Sequence, residues 1–117
     1  MKTKDYRGKS WYDIFPLSEG QINFTHNYKG TIRAFHRHQK QTDYWFCAYG
    51  EARVIIEGES TYLSQGDLIV IPPNKWHGLE ALTDFGLLYW TTEKFNEGSP
   101  DEERAPFDKW QWDKEWK

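Results

Sequence analysis

Gly30-Thr31-Ile32-Arg33-Ala34-Phe35-His36-Arg37-His38, then four residues to Asp43 and six more to Gly50, forms the first of two spaced segments in this chain. The second runs from Gly66 through five residues to Pro72, then Pro73, Asn74, Lys75, Trp76 and His77, and fifteen residues separate Gly50 from Gly66. Alternation in a strand sends successive side chains to opposite faces. Ile32, Ala34, His36 and His38 therefore share one face, and Arg33, Phe35 and Arg37 the other. The same parity groups Asp43, Trp45, Cys47 and Tyr49. If the histidines point into a barrel and Asp43 joins them, then Trp45, Cys47 and Tyr49 line the interior as well. A polar cluster at one end and an aromatic wall deeper in is how a small barrel with a functional mouth is organised.

Outward from these segments, short alternating runs broken by Gly, Pro, Asn and Asp indicate an all-β antiparallel sandwich or barrel. The expected strands are 21–26, 31–38, 44–49, 52–57, 60–63, 67–71, 78–82 and 85–92. Glu57-Gly58-Glu59 is read as a hairpin turn. Pro72-Pro73-Asn74 ends the strand before His77, because proline cannot donate to a ladder. One domain spanning 1–117 is expected, with the barrel at about 20–92 and an aromatic tail at 93–117. Phe107, Trp110, Trp112 and Trp116 in an otherwise charged tail suggest docking on the barrel or on a neighbouring subunit. Trp11, Tyr12, Ile14 and Phe15 suggest similar anchoring at the N-terminus.

Composition narrows the class of function. The chain has 117 residues and a net charge of −3, with a pI near 5.8, which argues against nucleic acid or an anionic membrane as partner. No apolar run approaches the roughly 18 residues of a spanning helix, and no secretory h-region is visible at the start. The single cysteine, Cys47, has no internal partner, as expected in a reducing compartment, so a cytoplasmic protein is expected. Mean hydropathy is −0.91, but 18% aromatic residues speak against disorder.

His36, His38, Asp43 and His77 are candidate ligands for a divalent transition metal, Fe, Mn, Ni, Co, Cu or Zn. Neutral imidazoles supply the donor nitrogens, and the carboxylate offsets part of the charge. The alternative is a metal-free polar pocket in which these groups bind a substrate or one another. Trp45, Tyr49 and Gln41 are candidate substrate contacts. Tyr89 shares a face with Phe85, Leu87 and Thr91 and offers a phenol to the pocket. Cys47 is expected to be a buried small apolar residue, and His26 structural or at the surface.

The two segments resemble the half-motifs of the cupin superfamily, whose fold is a jelly-roll barrel, and the short spacing between them resembles compact bacterial members. Asp43 stands where that pattern usually has Glu, Asn74 where it has Gly, and Ala81 where it often has Asn. Within the cupins, Gly30-Thr31-Ile32-Arg33-Ala34-Phe35-His36 and Pro72-Pro73-Asn74-Lys75-Trp76-His77-Gly78-Leu79 resemble segments of the dTDP-4-dehydrorhamnose 3,5-epimerase family. The stretch from Ser99-Pro100-Asp101-Glu102-Glu103-Arg104 to Trp110-Gln111-Trp112 is similar to the closing segment of short proteins related to it. The resemblance implies a homodimer handling a sugar, a nucleotide-linked 4-keto sugar, with no metal in the epimerase mechanism. It places His36 as the base beside the keto group, Arg33 as a substrate contact, and Asp108 as the carboxylate that orients the histidine. Lys94 and Phe95 occupy the place of the proton-donating tyrosine, and Asp43 that of an enolate-stabilising lysine.

His36 cannot serve as ligand and base at once, since both use the same lone pair. The expectation is therefore an isomerase or epimerase-like sugar protein with a bound metal. An Fe(II) oxygenase and a non-catalytic carbohydrate- or nucleotide-binding module remain open beside it.

Overall fold

The computed structural model describes residues 2–95 and 101–104. Within them the chain forms eleven strands and no helix. These are β1 (Lys2–Asp5), β2 (Gly8–Trp11), β3 (Gln21–Asn27), β4 (Ile32–Arg37), β5 (Asp43–Tyr49), β6 (Glu51–Ile56), β7 (Glu59–Ser64), β8 (Leu68–Ile71), β9 (His77–Ala81), β10 (Phe85–Thr91) and β11 (Glu103–Arg104). Two antiparallel sheets face each other, one in the order β1-β2-β3-β10-β5-β8 and the other β11-β4-β9-β6-β7. This is the expected jelly roll. The eight strands anticipated from alternation are all present, with ends moved by a residue or two. The β1–β2 hairpin and β11 were not anticipated. β1 and β11 are short, polar and fully exposed, so no buried periodicity marks them, and β2 alternates buried and exposed over four residues only.

Turn chemistry follows the sequence closely. Glu57 and Gly58 both have positive φ, 47° and 85°, as a two-residue type I′ hairpin requires. Asn74 has φ 63°, a left-handed position that asparagine tolerates better than other residues with a side chain. Its amide donates to the His38 carbonyl at 2.6 Å, tying the turn before β9 to the end of β4.

The core fills one end of the space between the sheets with Cys47, Ala52, Val54, Leu63, Ile71, Leu79, Ala81, Phe85 and Leu87. Each large side chain buried there contributes about 1.5–3 kcal/mol relative to exposure. Cys47 is buried, as expected; burial pushes its thiol pKa up, so it packs as a small apolar residue and is a poor nucleophile. The outer face of the six-stranded sheet is also apolar: Phe46, Leu68, Val70, Leu88 and Trp90 are exposed on it, and Tyr44 stacks on Trp90 with ring centroids 4.9 Å apart.

Two irregularities decide what reaches the interior. Arg33 pairs with Leu79 and His36 with His77, so β4 spends three residues where β9 spends two. This bulge puts Arg33 on the same side as His36, contrary to strict alternation. The second lies at the end of β5, where Cys47 pairs with Leu87 but Tyr49 with Gly86. The extra residue there turns Tyr49 outward.

Candidate active site and metal centre

His36 and His77 are directly opposed across β4 and β9, and their ring centroids lie 4.4 Å apart. His38 follows at the end of β4, with its ring centroid 5.3 Å from that of His36 and 5.7 Å from that of His77. One nitrogen from each of the three lies within 4.8 Å of the others. Their hydrogen bonds show which nitrogens are available. His77 Nδ1 donates to the Lys75 carbonyl at 2.8 Å, and His38 Nδ1 donates to the Asp101 carbonyl at 2.7 Å. A carbonyl can only accept, so in both rings Nδ1 carries hydrogen and Nε2 is the atom left for a ligand.

His77 Nε2 and His36 Nδ1 are buried and have no hydrogen-bond partner. Buried polar atoms are rarely left so. Burial holds the His36 pKa well below its ordinary value, with His77, His38 and Arg104 adding to the effect. Burial likewise lowers that of His77, opposed by the Lys75 carbonyl and by Asp43. Both imidazoles are neutral at pH 7 with lone pairs available. Neutral nitrogen donors with Nδ1–H held by backbone carbonyls are the donor set a divalent transition metal requires, so the residues fit such an ion.

Asp43 stands beside this cluster rather than in it. Its Oδ1 accepts from Gln41 Nε2 at 2.6 Å and its Oδ2 from Trp45 Nε1 at 3.2 Å. The carboxylate is buried and its oxygens are engaged by these neighbours, whereas a four-ligand cage had been expected. A side chain one methylene shorter than Glu, starting from the facing sheet, reaches Trp45 and Gln41 instead.

His36 and His38 open onto a cavity of about 650 Å³ whose lining also includes Arg33, Gln41, Asp43, Trp45 and Tyr89. Five expected site residues beyond the histidines are thus brought together. Arg33 Nε donates to Asn27 Oδ1 at 2.6 Å. That hydrogen-bond partner is neutral, while the charged groups felt by the guanidinium are Arg7 and Asp5. Burial lowers the Arg33 pKa and the nearby Arg7 lowers it further. Burial also pushes the Tyr89 phenol far above its ordinary value, so it keeps its proton and acts as a donor.

Tyr49 does not line this cavity and is a correction to the expected substrate contacts. After the bulge its ring lies over Gly86, where any Cβ would collide with it, and its hydroxyl is hydrogen bonded to His26 Nδ1 on the outer surface. Asp108 and the tryptophans of the tail lie outside the described residues.

Other lining residues were missed. Gln21, Asn23, Thr25 and Thr91 present a polar row to the cavity, and the signal for it was available in β3, whose polar side chains alternate inward. Tyr12 and Asp13 before β3, and Lys94 and Asp101 near the C-terminal end, also contribute. No periodicity marks those positions.

The profile of the cupin domain family matches residues 24–90, more than half of the chain, and the protein belongs to that family. Among curated proteins, the chain is 36% identical to the spore coat polysaccharide biosynthesis protein SpsL of Bacillus subtilis over 104 residues, covering 76% of this chain and 69% of SpsL. It is 30% identical over 116 residues to Agl13 of Haloferax volcanii, named a probable low-salt glycan biosynthesis epimerase, covering 86% of this chain and 74% of Agl13. The fold also matches the capsular polysaccharide assembling protein CapF of Staphylococcus aureus, with a TM-score of 0.82 and 20% identity. That match covers 90% of this chain and 31% of CapF, so the chain spans about a third of that structure. The chain is a cupin whose relatives include proteins named for polysaccharide and glycan biosynthesis. Among the described residues, no helix is long and apolar enough to cross a membrane.

Proposed function

We propose that this protein is an epimerase- or isomerase-like enzyme acting on a nucleotide-linked keto sugar, with a divalent transition metal held by His36, His38 and His77. The observation that carries the reading is the clustering of three imidazoles, two with buried unpartnered nitrogens, beside a cavity that also holds a cation and a protonated phenol. The relatives' names supply the sugar chemistry.

A divalent metal, which His36, His38 and His77 would hold, would supply Lewis-acid chemistry toward a keto oxygen. Arg33 binds the anionic part of the substrate. Gln21, Asn23, Thr25 and Thr91 offer amide and hydroxyl groups matched to sugar hydroxyls. Trp45, Leu79 and Leu87 in the lining exclude water and strengthen these polar contacts. The Asp43 carboxylate, which lines the same cavity, takes the proton that leaves the carbon, and Tyr89, which keeps its own proton there, returns one to it.

A second reading is favoured by the unpartnered Nδ1 of His36. Without a metal, that nitrogen is itself a competent base, kept neutral by burial, and His36 then takes the proton that Tyr89 replaces. The test is incubation with nucleotide-linked 4-keto sugars in deuterated water, following by NMR the loss of the signal next to the carbonyl. Exchange with wild type but not with Tyr89→Phe supports the proposal, and no exchange with any such sugar contradicts it. Equal exchange before and after metal removal favours the second reading.

The expected homodimer has a surface that suits it in the apolar outer face of the six-stranded sheet, where Leu68 is 59% exposed. A two-fold contact would set this face against its own copy. A monomer in sedimentation at micromolar concentration would contradict it.

A further inference from the structure

The segment 101–104 is farther in sequence from the half-motifs than anything else at the site, yet it touches them at several points. The Asp101 carboxylate accepts three backbone amides in a row, Gln39 at 2.9 Å, Lys40 at 2.9 Å and Gln41 at 3.0 Å. The same residue's carbonyl accepts His38 Nδ1–H at 2.7 Å. Two residues on, Glu103 pairs with Arg37 in the β4–β11 ladder, and its carboxylate receives Arg37 Nε at 2.9 Å. Arg104 pairs with His36 in that ladder, and Asp101, Glu102 and Arg104 all help to line the cavity.

The loop from 38 to 42 joins β4 of one sheet to β5 of the other and carries both His38 and Gln41. Its three consecutive amides have no ladder partners, and a carboxylate is a strong acceptor for such a set. Burial raises the Asp101 pKa, but the three amides outweigh it and hold the carboxyl below its ordinary value, so the group is charged in its bound place. One residue thus fixes the loop through its side chain and the imidazole tautomer through its main chain. His77 is set differently, by Lys75 of its own turn.

Building on the ligand reading of the three histidines, we infer that Asp101 is a positioning residue that aims His38 Nε2 into the cluster, so that the C-terminal segment completes the site. Fixing the tautomer and orientation of a histidine in this way commonly changes metal affinity by about 10–100-fold. Gln41 is placed by the same clamp, and through it the Asp43 carboxylate.

The experiment compares the full-length chain with Asp101→Ala and Asp101→Asn, reading the imidazole tautomers by ¹⁵N NMR with no metal added and then the affinity for Zn(II). Asp101→Ala keeps the main-chain carbonyl but removes the side-chain clamp that holds it against the 38–42 loop, and is expected to turn the single Nδ1–H form of His38 into a mixture while leaving His77 unchanged. Zn(II) binding is expected to weaken by about 10–100-fold. Asp101→Asn, which keeps one acceptor oxygen, falls between the two. If wild type binds no Zn(II) but His38 still responds alone to Asp101→Ala, the positioning role stands and the ligand reading falls. An unchanged His38 in Asp101→Ala, or equal disturbance of His38 and His77, overturns the proposal.

Discussion

The histidines inside the barrel and the one outside it are the same residue put to different ends. His26 lies on the outer face of β3, hydrogen bonded to the Tyr49 hydroxyl, with its Nε2 3.9 Å from Asp84 Oδ2. It also meets the Tyr28 ring edge-on at 5.6 Å. Both of its nitrogens thus face polar neighbours. His36 and His77 each keep one buried nitrogen with none. The difference teaches how to separate structural from functional imidazoles: a satisfied ring holds the fold, and an unsatisfied one in a cavity awaits a ligand or a proton.

The largest effect should come from removing an inner histidine. His36→Ala or His77→Ala is expected to weaken Zn(II) or Co(II) binding by more than the roughly hundredfold that loss of an orienting partner causes. His26→Ala should leave affinity within twofold. Competitive titration against a chromophoric chelator measures both, and a matching loss in His26→Ala would erase the distinction.

The two tyrosines sharpen the contrast. Tyr89→Phe should lower turnover about 10²-fold or more, as loss of a general acid does, with little change in thermal stability. Tyr49→Phe should leave turnover nearly intact and cost about 0.5–1.5 kcal/mol of stability, the usual worth of one hydrogen bond. Steady-state kinetics beside chemical denaturation separates them. Gly86→Ala tests the outer packing from the other side of the contact. The added methyl has to displace the Tyr49 ring, and denaturation should show a loss of about 1–3 kcal/mol with metal affinity unchanged.

Acid stability gives the smallest effect. Asp5, bound by the Arg7 guanidinium at 2.6 Å, has its pKa lowered from 3.8 to about 2, chiefly by that hydrogen bond. A folded-state pKa below the unfolded value means the contribution is present above pH 3.8 and is lost as pH falls towards about 2. The pair is solvent exposed, so its worth is at most about 1 kcal/mol after screening. Asp5→Asn should flatten that part of the acid unfolding profile, and a profile identical to wild type would contradict the pairing.

Much of the barrel was legible because alternation is a local signal. The Gly and Pro positions bounding the half-motifs mark real turns, and Asn74 occupies a left-handed site that explains why an unusual residue there is tolerated. The placement of Tyr49 was not legible, and that of Arg33 was legible through the family resemblance and not through parity. A bulge is one residue gained against a partner strand, and the partner is distant in sequence. Parity therefore assigned Tyr49 to the interior and Arg33 to the opposite face from His36, and both were reversed. Asp43 was correctly placed near the histidines, but the claims of Gln41 and Trp45 on its oxygens depend on rotamers that spacing does not encode. The contacts of Asp101 with residues 38–41 cross some sixty positions, as the 60-residue separation from Gln41 shows, and no motif announces them.

The most direct test of the inner cluster is metal analysis of untagged protein purified without chelator, followed by titration with Zn(II). The account predicts near-stoichiometric transition metal, or uptake of one equivalent of Zn(II) that is lost in His36→Ala and His77→Ala and kept in His26→Ala. A protein that arrives metal-free and takes up none would contradict it and return His36 to the role of base.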